Sequence, residues 1–209
     1  MNTKGKFIVF EGTDGSGKST QIKLLEEYLA GKGVSCVRTS EPTHSSFGAL
    51  LRDCLTGRMD TDEHAIAALF AADRLDHVLN PANGMKKTIE EGVTVLCDRY
   101  YISSLAYNGG FVSTDWVFEL NRQAMRSLRP DLTIFLDIDP EEAMSRVTKR
   151  GEPERYETLA RQKLIRDKYF QIFDRLKGEE NIVIVKNEGG VTETQEKVRA
   201  LVDALFDKE

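Results

Sequence analysis

The sequence has only three cysteines, Cys36, Cys54 and Cys97, and no C-x-x-C pair. The odd number and the spacing fit neither a disulfide framework nor a metal site, so we expect reduced thiols, two of them in or near apolar runs. No apolar run approaches the length of a membrane span, and the N-terminus lacks the pattern of a secretory leader. We therefore expect a cytoplasmic protein without membrane contacts.

The sequence also lacks a strong excess of charge of either sign. Lys and Arg number 29 against 34 Asp and Glu, which gives a formal net charge of −5 at pH 7. This balance argues against a dedicated nucleic-acid binder. With 40% hydrophobic and 30% charged residues, the composition is that of an ordinary globular protein. The length suits one α/β domain, and no linker divides residues 1–209.

The chain is organised around residues 7–20, which read FIVFEGTDGSGKST. The first four residues predict a short strand that is buried on both faces. The next segment, from Gly12 to Ser19, matches G-x-x-x-x-G-K-[ST], and a helical pattern follows it. A strand, a glycine-rich loop and a helix are the context of a phosphate-binding loop. The sequence therefore predicts a nucleoside triphosphate site.

The residue types of this phosphate-binding loop explain its chemistry. Glycines let several backbone N–H groups point into one hollow, and the following helix adds the positive end of its dipole. Lys18 is expected to reach the β- and γ-phosphates, and the Ser19 hydroxyl is expected to help hold Mg²⁺. The predicted ATP-binding residues of the loop are Gly12, Thr13, Asp14, Gly15, Ser16, Gly17, Lys18, Ser19 and Thr20.

Short apolar runs alternate with helical patterns along the whole chain. After the first strand, four more are predicted at 34–38, 93–97, 132–136 and 182–185, and the strongest helical pattern covers 63–79. This alternation is typical of a parallel sheet covered by helices on both faces. We therefore predict an α/β domain with a five-stranded parallel sheet.

Two further features contain residue types that are suited to phosphoryl transfer. Asp98 ends a buried strand, so we expect it at the carboxyl edge of the sheet, where it could hold Mg²⁺ or cap a helix. Cations crowd a later segment that is interrupted by glycine and proline. Such a segment could close over a transferred phosphate, or it could be a solvated helix end. The cations are Arg146, Lys149, Arg150 and Arg155.

A phosphate-binding loop alone leaves several protein classes open. The sequence lacks the N-K-x-D element of guanine binding, and the chain is short for a motor ATPase. A kinase of the same fold that acts on UMP, CMP or a deoxynucleoside would share the loop and the late cations. An ATP-binding regulatory module without turnover is the alternative of another class. Such a module would be expected to lack Lys18, Asp98 or the late arginines, all of which this chain has.

Six segments, in order and spacing, resemble the thymidylate kinase family over nearly the full chain. They are FEGTDGSGKSTQ, SEP, LFAADRLDH, DRYYISSLAYNGG, RPDLTIFLDIDPEEAMSR and RGEPERYE. The resemblance implies the nucleoside monophosphate kinase fold of P-loop NTPases, with a short lid over residues 146–156. It also implies that a homodimer transfers the γ-phosphate of ATP to dTMP with Mg²⁺, in dTTP biosynthesis.

The resemblance implies roles for residues around the thymine base. Phe70 would stack on the ring, although an aromatic residue at this place could also belong to the core of the helix. Arg74 would donate to a thymine carbonyl, and Asn108 would read the N3 edge. Ser103 and Ser104 would lie near the base.

Other roles implied by the resemblance concern the sugar, the phosphate and the metal. Asp14 would contact the sugar 3′-hydroxyl, and Tyr107 would crowd the 2′ position and so disfavour ribonucleotides. Arg99 would bind the acceptor phosphate, and Asp98 would join Ser19 at the magnesium. The catalytic set implied in this way is Lys18, Arg99, Arg150 and Asp14.

The family divides according to the source of the catalytic cation. Some members carry a basic residue in the phosphate-binding loop where this chain has Gly15, so the chain resembles the members that supply the cation from the lid. Arg150 matches that position, with Lys149 and Arg155 in support, and Arg146 resembles the residue that packs against adenine. The chain departs from the family at Thr43-His44-Ser45, where many relatives have glycines or an arginine near the acceptor phosphate.

Overall fold

Five strands form one parallel sheet in this structure, a computed structural model that describes residues 4–149 and 158–207. The strands are β1 (Phe7–Glu11), β2 (Cys36–Ser40), β3 (Thr94–Asp98), β4 (Leu132–Asp137) and β5 (Ile182–Lys186). They lie in the order β2-β3-β1-β4-β5, so β1 is central and pairs with β3 and β4. The loop after β1 therefore emerges in the middle of the carboxyl edge of the sheet, where open parallel sheets bind ligands.

Helices cover both faces of the sheet in the described part of the chain. They are α1 (Lys18–Gly31), α2 (Ser46–Leu55), α3 (Glu63–Leu79), α4 (Met85–Glu90), α5 (Tyr101–Tyr107), α6 (Thr114–Ser127), α7 (Pro140–Thr148), α8 (Leu159–Arg175) and α9 (Gly190–Phe206). A 3₁₀ turn, Asn108–Gly110, follows α5. The predicted fold class is confirmed, because five parallel strands alternate with helices throughout.

The two-residue period of β1 sets the two cores. Phe7 and Val9 lie in one apolar cluster with side chains of α5, α6 and α8, whereas Ile8 and Phe10 lie in the opposite cluster with α1 and α9. Every residue of β1 is buried. Because burying one large apolar side chain contributes about 1.5–3 kcal/mol, this strand is firmly held at the centre of the sheet.

Element boundaries follow the predictions to within a few residues. The helix predicted at 63–79 has those bounds, and the Asp62 side chain caps it by accepting from the His64 N–H. β2 begins two residues later than predicted. Gly33, at φ 76°, reverses the chain, and the Val34 N–H closes α1 by donating to the Leu29 carbonyl at 3.0 Å, so Val34 belongs to the turn.

The three cysteines are free thiols, as predicted, and Cys54 and Cys97 are buried. Along residues 4–149 and 158–207, none of the helices is both long enough and apolar enough to span a bilayer.

Candidate active site

The phosphate-binding loop lies between β1 and α1 at the carboxyl edge of the sheet. Gly17, at φ 90°, turns the chain directly into α1, so the first N–H groups of the helix point toward the loop. Gly15 is close to α7. A Cβ on residue 15 would come within 2.3 Å of the Ala143 carbonyl oxygen, so α7 leaves no room for a side chain there. This contact gives a physical reason for glycine where some relatives carry a basic residue.

Lys18 is buried across the phosphate-binding loop. Its Nζ donates to the carbonyls of Gly12 at 3.1 Å and Thr13 at 3.2 Å, and it lies 3.9 Å from Asp98 Oδ1. Burial lowers the pKa of the Lys18 ammonium, and the neighbouring charge of Arg99 lowers it further. The ammonium is thus fixed over the loop with little water around it, which is where it would act most strongly on a phosphate.

Ser19 and Asp98 meet at the start of α1. The Ser19 hydroxyl donates to Asp98 Oδ2 at 3.0 Å, and the buried Oδ1 of Asp98 has no hydrogen-bond partner among the described residues. Those residues contain no group of three or more His, Cys, Asp or Glu side chains that could hold a metal alone. One hydroxyl and one carboxylate fit a cation that takes most of its ligands from phosphate and water, as Mg²⁺ does in nucleotide sites.

Beside the loop lies a cavity enclosed by residues that follow β2, by α3 and by α5; we name it the acceptor cavity. All eight residues predicted to bind the acceptor line it. Three further lining residues, Glu41, Pro42 and Leu55, were not predicted. The complete lining is Asp14, Glu41, Pro42, Leu55, Phe70, Arg74, Arg99, Ser103, Ser104, Tyr107 and Asn108.

Arg74, which is 1% exposed, forms the polar wall of the acceptor cavity. Its Nε and Nη2 lie 2.7 and 2.6 Å from Glu41 Oε2, while Nη1 donates to Ser104 Oγ at 3.0 Å and to Asn121 Oδ1. These contacts account for four of the five guanidinium N–H groups and leave one on Nη2 for a ligand. Glu41 therefore sets the orientation of Arg74.

The side-chain amide of Asn108 lines the acceptor cavity without hydrogen bonds to described residues. Its side chain is 1% exposed, and both Oδ1 and Nδ2 lack hydrogen-bond partners among the described residues. Buried amides are almost always paired, because an unpaired one costs free energy. A ligand with a hydrogen-bond donor next to an acceptor would satisfy both atoms.

At the end of the acceptor cavity nearest the phosphate-binding loop, Arg99 and Asp14 form an ion pair. Arg99 Nη2 donates to Asp14 Oδ1 at 2.5 Å, and the Tyr107 hydroxyl donates to Asp14 Oδ2 at 3.0 Å. The Arg99 guanidinium also lies over the Tyr107 ring, 4.7 Å from its centroid. Although burial alone would raise the pKa of Asp14, the charges of Arg99 and Lys18 and the tyrosine hydrogen bond together hold that pKa below its usual value. The cluster is thus a negatively charged carboxylate between two cations.

The buried carboxylate of Glu11, at the end of β1, lies next to this ion pair. It accepts hydrogen bonds from the hydroxyls of Ser103 and Tyr169, and burial raises its pKa. Glu11 is not among the predicted site residues. The signal in the sequence is an acidic residue at the end of a buried strand, which is also the feature that singles out Asp98.

The loop after β2 is fixed by α3. The carboxylate of Asp73, 1% exposed, accepts from the Thr43 N–H at 2.8 Å, the Thr43 hydroxyl at 2.5 Å and the Ser45 hydroxyl at 3.0 Å. The departure from the family at Thr43-His44-Ser45 thus has a structural account, since two of its three side chains anchor the loop to α3. Asp73, too, is not among the predicted site residues.

A second cavity, on the other side of the loop, suits the nucleotide donor. It is lined by four predicted ATP-binding residues and by several that were not predicted, among them Asn187, whose Nδ2 donates to the Ser16 carbonyl at 2.8 Å. Arg146 Nη1 lies 3.4 Å from the Gly15 carbonyl oxygen. The predicted lining residues are Gly15, Gly17, Thr20 and Arg146.

Only part of the predicted lid belongs to the described structure. Lys149 follows the last residue of α7 and is exposed. Arg150 and Arg155 lie outside the described residues, so their roles stay predictions from the sequence.

Comparison with known proteins decides the family. The family model for thymidylate kinase matches residues 10–198. The chain belongs to the thymidylate kinase family. A protein named thymidylate kinase from Caldicellulosiruptor saccharolyticus is 38% identical over 210 residues, which cover 98% of this chain and 99% of the relative. Another of that name, from Desulfotalea psychrophila, is 43% identical over 155 residues, covering 72% and 73% of the two chains.

A third relative named thymidylate kinase, from Clostridium novyi, is 35% identical over 180 residues, covering 82% of this chain and 86% of the relative. The resemblance inferred from six sequence segments is therefore confirmed. The chain is a kinase that uses ATP, which excludes the regulatory module without turnover.

Proposed function

We propose that this kinase transfers the γ-phosphate of ATP to dTMP and so forms dTDP, in the synthesis of dTTP. The observation that supports the acceptor most directly is the buried Asn108 amide, which lines the acceptor cavity and whose two polar atoms find no hydrogen-bond partner within residues 4–149 and 158–207. The imide edge of thymine offers the adjoining donor and acceptor that this amide needs. Arg74, whose contacts with described residues leave one N–H over, would donate to a carbonyl of the same base.

The rest of the acceptor would occupy the same cavity. Phe70, half-buried on α3, would stack on the thymine ring, with Ser103 and Ser104 near the base. Asp14 would accept from the 3′-hydroxyl, and Tyr107 would leave no room for a 2′-hydroxyl. Arg99 would bind the acceptor phosphate at the end of the cavity that faces the phosphate-binding loop.

The phosphoryl transfer depends mainly on how the reacting groups are positioned and how their negative charge is stabilised. An oxygen of the acceptor phosphate, already anionic, attacks the γ-phosphorus while the bond from that phosphorus to the bridging oxygen of ADP breaks. No side-chain base is required, because no proton has to be removed from the nucleophile. Lys18, the N–H groups of the loop and Arg99 stabilise the negative charge on both sides of the transferred group.

Mg²⁺ would be held by Ser19 and Asp98 together with the phosphates of ATP. When bound, the cation neutralises charge on the β- and γ-phosphates. The Oδ1 atom of Asp98, which accepts no hydrogen bond from the part of the chain that the structure describes, supports this assignment.

The lid would supply the last cation. From the sequence we assign Arg150 to the transferred phosphate, with Lys149 and Arg155 in support, and Arg146 to the adenine ring. The position of Arg146 in the lining of the donor cavity supports the last of these assignments.

We also propose that residues 1–209 form a single domain and that the enzyme works as a cytoplasmic homodimer, as the family resemblance implies. The alanine-rich face of α3 does not contribute support, because Ile66, Ala67 and Ala71 are buried within the chain. Phe47 and Leu50 on α2, 43% and 39% exposed, are better candidates for a contact between subunits.

Following the γ-phosphate tests the proposal. With ATP labelled at the γ-position and dTMP present, we expect the label in dTDP in equal amount to the ADP formed. Without dTMP, little label should be released. Release of labelled inorganic phosphate at the same rate with and without dTMP would overturn the proposed transfer, as would an absence of labelled dTDP.

A further inference from the structure

Glu11 is a completely buried carboxylate whose hydrogen bonds with described residues come from the surroundings of Arg99. Its Oε1 accepts from the backbone N–H groups of Tyr100 at 3.0 Å and Ser103 at 3.2 Å. Its Oε2 accepts from the hydroxyls of Ser103 at 2.5 Å and Tyr169 at 2.9 Å. A buried carboxylate is tolerated only when such donors surround it. Glu11 does not line the acceptor cavity.

The two hydroxyls that Glu11 binds are also the acceptors of Arg99. Arg99 Nη1 donates to Ser103 Oγ at 3.2 Å and to the Tyr169 hydroxyl at 3.4 Å, and these two oxygens lie 2.9 Å apart. Because their protons are directed toward Glu11, their lone pairs are available to the guanidinium. Glu11 thus fixes one side of Arg99 through two hydroxyls, while Asp14 fixes the other side directly.

The backbone of Arg99 depends on the same end of β1. Arg99 has φ 71°, a left-handed conformation that is unfavourable for a long side chain. Its own N–H donates to the Phe10 carbonyl at 2.9 Å, and the next N–H, of Tyr100, donates to Glu11. The strained turn is therefore tied to two consecutive residues of β1, and this turn sets the direction in which Arg99 leaves the sheet.

We propose that Glu11 is a positioning residue for the acceptor phosphate, acting through Ser103, Tyr169 and the Arg99 turn. The inference rests on the proposed function, in which Arg99 binds that phosphate. Glu11 holds the guanidinium in one orientation before the acceptor arrives, so binding the phosphate does not require Arg99 to be ordered first. A purely structural Glu11, joining β1 to α5, would instead support the whole cavity and the base as much as the phosphate.

The comparison of dTMP with thymidine separates these two roles, because thymidine lacks the phosphate. We would measure both dissociation constants by calorimetry for the full chain and for Glu11→Gln. The glutamine keeps the volume and an oxygen for the Tyr100 N–H, but its NH₂ group donates to the hydroxyls and redirects them. We expect dTMP to bind about tenfold more weakly and thymidine binding to change less than about twofold. The reason is that only dTMP has the phosphate to which the charged Arg99 side chain would donate hydrogen bonds.

Tyr169→Phe provides a second test that removes only one hydroxyl. It should weaken dTMP binding about threefold and leave thymidine binding unchanged. The matched control is Asp203→Asn. Asp203, on α9, is also a carboxylate that accepts from a tyrosine hydroxyl, that of Tyr28 at 2.6 Å, but it lies on the opposite face of the sheet with α1, so neither ligand should respond to its change.

The outcomes are distinct. Selective loss of dTMP binding in Glu11→Gln, or in Tyr169→Phe if the first variant does not fold, supports the positioning role. Equal loss for both ligands, or no loss for either, overturns it. If the unaltered chain binds dTMP no better than thymidine, the assignment of Arg99 in the proposed function fails, and the inference fails with it.

Discussion

Arg99, which follows β3, donates to the carboxylate of Asp14, in the loop after β1, at 2.5 Å. Asp14 belongs to the phosphate-binding loop and both residues line the acceptor cavity, so a single ion pair joins the loop to the cavity. Because the pair is largely shielded from water, each charge keeps the other in its ionised form. The geometry of the donor and acceptor sites is therefore set by the same contact.

Replacing Asp14 by asparagine should destabilise the protein at neutral pH but not in strong acid. The pKa of Asp14 is lowered from 3.8 in the folded chain, so its contribution is complete above about 3.8 and is lost as the pH falls through the lowered folded value. We expect a difference of about 1–3 kcal/mol in the free energy of unfolding at neutral pH. Urea unfolding of both proteins over a pH series measures it. A difference that stays constant into strong acid would contradict the pairing.

Asn108 and Asn121 are both buried, but they should respond oppositely to replacement by alanine. Asn108 makes no side-chain hydrogen bonds to described residues, so Asn108→Ala should leave the melting temperature unchanged or higher while it raises the KM for dTMP about tenfold. Asn121 accepts from Arg74 and donates to the Val117 carbonyl, so Asn121→Ala should cost about 1–3 kcal/mol of stability. Calorimetry and steady-state kinetics on both variants test the contrast. If both variants were destabilised equally, the result would contradict the finding that the Asn108 amide makes no hydrogen bonds to described residues.

The buried ion pair of Arg74 and Glu41 should matter to stability as well as to binding. Arg74→Ala removes the guanidinium from the buried Glu41 carboxylate and leaves it the His77 ring, 3.0 Å from Oε1, which should destabilise the fold by about 3–5 kcal/mol. Arg38→Ala is the matched control, because Arg38 pairs with Glu26 at 2.5 Å but is 47% exposed, and such surface pairs contribute about 0–1 kcal/mol. Equal, small losses in urea unfolding would argue against this account of Arg74.

Much of the fold could be predicted from the sequence, because strands and helices are indicated by patterns within short stretches of the chain. The apolar runs gave the strands, the helical periods gave the helices, and the family resemblance gave eight residues that line one cavity. The error at β2 was also local. The chain reverses at Gly33 and the Val34 N–H completes α1, so the apolar run began before the strand did.

The role of Glu11 could not be predicted in the same way, although Asp98 also ends a strand. Side chains alternate between the two faces of a sheet, so Glu11 shares a face with Phe7 and Val9, and Asp98 shares the opposite one with Leu96. Only the packing of helices shows which face meets α1. Asp98 faces α1 and therefore reaches Ser19, whereas Glu11 faces α5 and α8.

Contacts between segments that are far apart in the sequence could not be predicted for a related reason. Asp73 holds Thr43 across 30 residues and Glu41 holds Arg74 across 33, and no periodicity or motif reports such pairs. They depend on how α3 lies against the loop after β2, which tertiary packing decides.

The lid assignment makes a kinetic prediction. Arg150→Ala should lower kcat by about 100-fold, since a cation that acts on the transferring phosphate stabilises the transition state most. The KM for dTMP should change by less than about threefold, because the resemblance places this residue at the transferred phosphate and not at the base or the sugar of the acceptor. Arg155→Ala, measured alongside, should have the smaller effect on kcat. Loss of dTMP affinity in proportion to kcat would count against the assignment of Arg150.

The central claim is that the acceptor cavity selects dTMP, and one comparison tests it most directly. ADP release by the purified protein with Mg²⁺ and ATP would be measured with dTMP, dUMP, dCMP, UMP and AMP offered separately. The account predicts the highest kcat/KM with dTMP, a lower value with dUMP, and little turnover with the other three. A preference for UMP or CMP would contradict the roles of Arg74, Tyr107 and Asn108, and no turnover with any acceptor would contradict the proposed reaction itself.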